Sequence, residues 1–347
     1  MRILPFASVL FVFQTAAGFA AAENSCPPLT MVASVNMQIG SDGRIYVPAA
    51  INGTPKSLLL DTGGVITEIT RAAADELKLP TRRTDLEIIG VTGDTTRVAA
   101  RGDLTLGNLH AERVDFMLLP SMHELASDIS DAVGILGPNL LRSYDLDLDF
   151  AGKKVNLISQ NHCEGKVVYW PASSVAVVPI RVNSAGHIFL PVTLDGQKLT
   201  AQLDTGASGS VLDLAVAQNE LGVKLGGSDT PEEGTMANGM AKTYSHRFKT
   251  LELEGIGIAN PRFDLVPDRM SGKQTDPGDS LKGGSRLPVG DTEIGLGDML
   301  LGMDILHHLH VYIAYKEEKL YLTAAVPPAA SASAPATTAA AKGAGAK

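Results

Sequence analysis

The sequence predicts a mainly β protein built from two copies of one domain, each with short helices. Three observations predict it. The tripeptide Asp-Thr-Gly occurs twice, at Asp61-Thr62-Gly63 and Asp204-Thr205-Gly206, each time after an apolar run. Short apolar segments such as 45–51, 57–60, 97–106 and 114–119 alternate or run continuously between Gly, Asp and Asn, the pattern of hairpin-rich β structure. The surroundings of the two tripeptides also repeat at fixed offsets.

The two aspartates lie 143 positions apart (204 − 61). At that offset Gly43-Arg44-Ile45-Tyr46-Val47-Pro48 falls on Gly186-His187-Ile188-Phe189-Leu190-Pro191. Asn52-Gly53 falls on Asp195-Gly196, a two-residue hairpin signal in both halves. Ile135-Leu136-Gly137 matches Leu300-Leu301-Gly302 at offset 165, which continues through Leu141 and Leu306. The second half thus carries about 22 extra residues, assigned to the Gly-, Asp-, Ser- and Pro-rich stretch 271–294. Self-similarity on this scale indicates domain duplication, not a short-period solenoid.

Each half has one well-marked helix. Thr70 can cap residues 71–78, which stop before Pro80; Asp213 can cap residues 214–221, with Gly222 at the end. A second short helix is expected near 139–143 and near 304–308. Strand 144–150 alternates Asp145, Asp147 and Asp149 with Leu146 and Leu148, and the acidic trio is read as a solvated face in preference to a cation site. His307, His308 and His310 are read as turn or surface residues and not as a metal centre. Trp170 is expected to cover apolar surface.

The ends and composition limit the function classes. Residues 1–22 read as a secretory signal peptide ending in Ala20-Ala21-Ala22, with an uncleaved anchor as the other reading. Without that leader, 28 Lys and Arg stand against 38 Asp and Glu, a net charge of −10. Such an acidic chain is a poor ligand for nucleic acid. No other run approaches bilayer-spanning length, so no stable membrane span is expected after cleavage. Cys26 and Cys163 pair in a disulfide if the protein is exported; two free thiols are the other reading. Residues 325–347, almost entirely Ala, Pro, Ser, Thr, Gly and Lys, read as a disordered tail.

The order of these elements resembles the aspartic peptidase family over nearly all of residues 23–324. Each half is most similar to a retropepsin subunit, and the pair to a bilobal, pepsin-like molecule of the bacterial exported type. The resemblance implies two β-barrel lobes, 23–159 and 179–324, joined by a linker at 160–178, with a cleft between them. It implies that Asp61 and Asp204 face each other as a catalytic dyad sharing one proton. Thr62 and Thr205 would cross-bond beneath them, and Gly63 and Gly206 would let the backbone approach the carboxylates. Flaps would come from Gly90, Val91, Thr92 and Gly93 and from Ala237, Asn238 and Gly239. An extended peptide or protein substrate would lie beneath them by strand addition. The family chemistry uses no metal and no organic cofactor.

Three departures qualify the resemblance. Gly64 and Ala207 stand where pepsin-like enzymes carry a hydroxyl that bonds the outer carboxylate oxygen, so a less acidic pH optimum than pepsin's is expected. The first flap has no tyrosine. Pro138 and Met303 replace the arginine of viral subunits, and the covalent link between lobes makes that ion network less necessary. The expectation is a monomeric endopeptidase, periplasmic or secreted. The alternative is a peptide-binding module that keeps the fold without turnover; a zymogen ranks below both, because residues 23–36 leave little room for a propeptide.

Overall fold

The computed structural model describes residues 26–89, 95–119, 125–126, 128–235, 242–267 and 297–325. The expected leader, both sets of flap residues (Gly90, Val91, Thr92, Gly93, Ala237, Asn238, Gly239), the 271–294 insertion and nearly all of the tail lie outside them.

The first half runs β1 (Met31–Asn36), β2 (Gln38–Ile39), β3 (Ile45–Ile51), β4 (Thr54–Leu60), β5 (Glu68–Ile69), α1 (Arg71–Glu76), β6 (Thr81–Ile89), β7 (Thr95–Leu106), β8 (Leu109–Leu118), β9 (Ala132–Leu136), α2 (Pro138–Leu141), β10 (Asp145–Asp149) and β11 (Lys154–Ile158). The second half runs β12 (Ala176–Pro179), β13 (Arg181–Val182), β14 (Ile188–Leu194), β15 (Gln197–Leu203), β16 (Val211–Asp213), α3 (Leu214–Asn219), β17 (Glu232–Thr235), β18 (Lys242–Arg247), β19 (Thr250–Leu253), β20 (Ile256–Ala259), β21 (Arg262–Val266), β22 (Met299–Leu301), α4 (Met303–Leu306), β23 (Leu309–Ala314) and β24 (Lys319–Ala324). The molecule is mainly β and duplicated, as the sequence predicts.

Both central hairpins form as their turn residues dictate. Asn52 and Gly53 take φ of 49° and 79° between β3 and β4, and Asp195 and Gly196 take 47° and 87° between β14 and β15. Residues tolerant of positive φ suit a two-residue turn whose twist matches the strands. Thr70 accepts from the Ala73 N–H, and Asp213 from the Ala215 and Val216 N–H groups, so α1 and α3 start where the sequence places them. Both end earlier than expected, at Glu76 and Asn219.

The extra residues of the second half are not all in one place. The pairs Ile51–Leu104 and Leu194–Leu251 are equivalent, and their offsets are 143 and 147. Four of the additional residues therefore precede β19.

Each half has its own sheet: eight strands in the first, β2 to β9, and ten in the second, β13 to β22. A third sheet, in the order β1-β11-β10-β23-β24-β12, takes three strands from each half. Its middle pair, β10 and β23, runs antiparallel with Leu146 opposite Ile313 and Leu148 opposite Val311. These four side chains are buried in the main core. The Cys26–Cys163 disulfide forms, with Cα atoms 5.1 Å apart. No helix among the described residues is long and apolar enough to cross a membrane.

The other face of this sheet corrects two expectations. Asp145 and Asp147 are 0 % exposed, not solvated, and only Asp149 is half-buried. Alternation puts the three on one face, but it does not say what covers that face. Here Val167, Val168 and Trp170 of the connecting segment pack over it with Tyr312 and Tyr321. His310 is likewise buried on β23, whereas His307 and His308 are exposed. Trp170 stacks on the His310 ring at 3.9 Å and donates from Nε1 to Thr323 Oγ1.

Candidate active site

Each Asp-Thr-Gly loop follows a buried strand, β4 or β15. Those strands pair in parallel with β9 and β22, which carry the Ile-Leu-Gly and Leu-Leu-Gly motifs. The pairing continues one step into each loop: Asp61 N–H donates to Leu136 O at 3.1 Å and Asp204 N–H to Leu301 O at 3.0 Å. The glycines of these motifs are required by contact. A Cβ on Gly137 would lie 2.5 Å from the Ile66 carbonyl, and one on Gly302 would lie 2.4 Å from the Gly209 carbonyl oxygen.

The two loops interlock through their threonines. Thr62 N–H donates to Thr205 Oγ1 and Thr205 N–H to Thr62 Oγ1, both at 3.1 Å. Each hydroxyl then donates across the boundary, Thr62 to Leu203 O at 3.1 Å and Thr205 to Leu60 O at 2.8 Å. Both threonines are fully buried, and these hydrogen bonds satisfy their polar groups.

The carboxylates lie directly above. Asp61 Oδ1 accepts from Gly63 and Gly64 N–H groups, both at 2.8 Å, and Asp204 Oδ1 accepts from Gly206 N–H at 2.8 Å. Each carboxylate packs on the glycine of the opposite loop: a Cβ on Gly63 would be 2.4 Å from both Asp204 oxygens, and one on Gly206 would be 2.4 Å from Asp61 Oδ1. Burial and then the charge of Asp61 push the Asp204 carboxyl well above the usual carboxylate range, against the opposing N–H groups of Gly206 and Ala207.

Residues that sequence reasoning missed brace each loop. Thr67 donates to Asn139 Oδ1 from both N–H and hydroxyl, at 2.7 and 2.9 Å, and its Oγ1 accepts from Gly137 N–H. In the second half Ser210 donates to Asp304 Oδ1 at 2.6 Å and accepts from Gly302 N–H at 2.9 Å. The available signal was a hydroxyl six positions after each aspartate, paired with the polar residue after each motif. Arg44 reaches toward the Gly206 carbonyl at 3.4 Å while bound to Asp42 at 2.6 Å. Burial alone would raise the Asp42 carboxyl, but its hydrogen bonds to Arg44 and Tyr46 hold it below its ordinary value. The matching positions in the second half are Ala185 and His187. Among the described residues no cluster of three His, Cys, Asp or Glu is placed to hold a metal ion.

Two barrel-like halves meeting at a reciprocal pair of Asp-Thr-Gly loops define the acid-protease class of fold. A family model described as "Aspartyl protease" matches residues 47–140 and 190–305, and the chain belongs to that family. No curated protein matches it. Among solved structures, basic 7S globulin from soybean is similar at 11 % identity and a TM-score of 0.45, over 85 % of this chain and 95 % of that one.

Proposed function

We propose that this chain is an exported aspartic endopeptidase of the bacterial type, with two retropepsin-like lobes fused in one polypeptide. The observation that carries the reading is the reciprocal packing of each aspartate on the other loop's glycine, above the threonine cross-bonds.

The chemistry follows from the dyad's shared proton. Because burial and the charge of Asp61 raise the Asp204 carboxyl, Asp204 is the member that holds the proton, and Asp61 acts as general base on a water between the carboxylates. Asp204 keeps the proton and donates it to the peptide carbonyl oxygen as water attacks the carbonyl carbon. The resulting diol collapses as the C–N bond breaks; the leaving nitrogen takes the proton now held by Asp61, and a diol hydroxyl returns its proton to Asp204. The products are a carboxylic acid and an amine, with no covalent enzyme intermediate.

Because one chain supplies both aspartates, a monomer completes the site. The disulfide and the leader-like residues 1–22 support a periplasmic or secreted location. Incubating the protein with a mixed peptide library between about pH 3 and 8, with mass spectrometry of the products, tests the reading. New termini within extended peptides are the expected result. Peptide binding without cleavage across that range overturns it in favour of the binding-module alternative.

A further inference from the structure

The sheet shared by the two halves holds a buried polar cluster that the proposed chemistry does not use. His162 lies in the segment connecting the halves, with a side chain only 3 % exposed. Its Nε2 is 2.6 Å from Asp145 Oδ2, and its Nδ1 is 3.2 Å from Cys163 O and 3.7 Å from Glu317 Oε1. Both ring nitrogens therefore face acceptors. A neutral imidazole has one N–H and would set a lone pair against an oxygen, whereas the imidazolium donates from both nitrogens.

The contacts bridge the molecule. Asp145 belongs to β10 of the first half, and Glu317 follows β23 of the second. Asp145 also accepts from the Tyr312 hydroxyl at 3.2 Å and the Tyr315 N–H at 3.1 Å, both second-half groups. Beside it, His310 of β23 meets Asp147 of β10 at 2.6 Å.

This cluster is coupled to the site through short, rigid pieces. From Asp61 the path runs through Leu136 and α2 into β10; from Asp204 it runs through Leu301 and α4 into β23. The register of β10 on β23 thus sets the relation of the two Asp-Thr-Gly loops. We propose that protonated His162 is a positioning residue, a clasp that holds the two halves in register, and that loss of its proton on the alkaline side loosens the shared sheet. The structural claim stands on the cluster; its consequence for catalysis rests on the peptidase reading.

The sign follows from the groups facing the ring. Burial alone would lower the His162 pKa, but its bonds to Asp145 and Cys163 O, with the charges of Asp145 and Glu317, carry it above 6.5. Burial outweighs the hydrogen bonds of Asp145 and raises its carboxyl above 3.8. Burial also raises Tyr312, Tyr315 and Tyr321, which stay neutral across this window. Nearby Glu164 is paired with Lys319 at 2.7 Å. Both members of the His162–Asp145 pair favour bound protons in the folded state. The charged pair is therefore complete below pH 6.5 down to the raised Asp145 value, and it fades as pH rises through the folded His162 value.

Hydrogen exchange of β10 and β23 at about pH 5.5 and about pH 9, corrected for intrinsic rates, tests this. The full chain carrying Asp204→Asn is used, so that the dyad's own titration is removed. A fall in protection of about tenfold or more is expected, and His162→Gln should abolish it. Glu317→Gln, which keeps the buried pair, should move the transition to lower pH and carries the test if His162→Gln does not fold. Unchanged protection between the two pH values, a full transition in His162→Gln, or an unmoved midpoint in Glu317→Gln overturns the proposal. Because exchange is read without substrate, failure of the peptidase reading leaves this result standing.

Discussion

Gly63 of one loop and Asp204 of the other touch across the boundary between the halves, with no room for a methyl group between them. Gly63→Ala is predicted to leave the fold intact by circular dichroism while displacing the Asp204 carboxylate. A misplacement of about 1 Å lowers peptide cleavage by about 10²-fold. Full activity in a folded Gly63→Ala protein would show that the contact does not position the dyad.

The threonine cross-bonds make a separate prediction for stability. Thr205→Val keeps the shape but leaves Leu60 O and Thr62 N–H without their partner. Each stranded buried group costs about 1–3 kcal/mol, so chemical denaturation should show a loss of a few kcal/mol. A surface threonine replaced in the same way should shift stability by less than about 0.5 kcal/mol.

The raised Asp204 carboxyl fixes the alkaline side of the pH–rate profile. Activity needs its proton, so cleavage should persist above the usual carboxylate range and fall as pH rises through the raised Asp204 value. Gly64 and Ala207 supply no side-chain hydroxyl to favour the ionised form, which acts in the same direction. Folding stability follows the same sign: the cost of ionising Asp204 appears as pH rises, so Asp204→Asn should gain on the wild type in melting temperature from acid to mildly alkaline pH. A rate profile peaking below about pH 3 would contradict this account.

The Cys26–Cys163 bridge closes a span of 137 positions, from the first described residue to the segment joining the halves. Replacing both cysteines with serine should cost about 2–4 kcal/mol in denaturant unfolding, mostly through the unfolded chain. An unchanged midpoint would contradict this stabilisation.

Local chemistry made much of this molecule legible. The Asn-Gly and Asp-Gly turns, the Thr70 and Asp213 caps and the paired tripeptides are encoded by residues close in sequence. The buried polar seam was not. Asp145 and Asp147 read as a solvated face because nothing in the strand itself shows the partners that cover them: His162 of the connecting segment for Asp145, and His310, 163 positions away, for Asp147. Strand alternation specifies a shared face; burial is decided by whatever packs on it. Thr67 and Ser210 were hidden for a related reason, since a buried hydroxyl bracing a loop looks in sequence like any strand residue.

The central claim is that one carboxylate from each half is needed for a single reaction. Measuring kcat/KM on one cleaved peptide for the wild type, Asp61→Asn and Asp204→Asn tests it most directly. Removing either member of a unit that works jointly should cost about as much as removing both, on the order of 10³-fold or more for each variant. Cleavage at the original rate by either folded variant would contradict it.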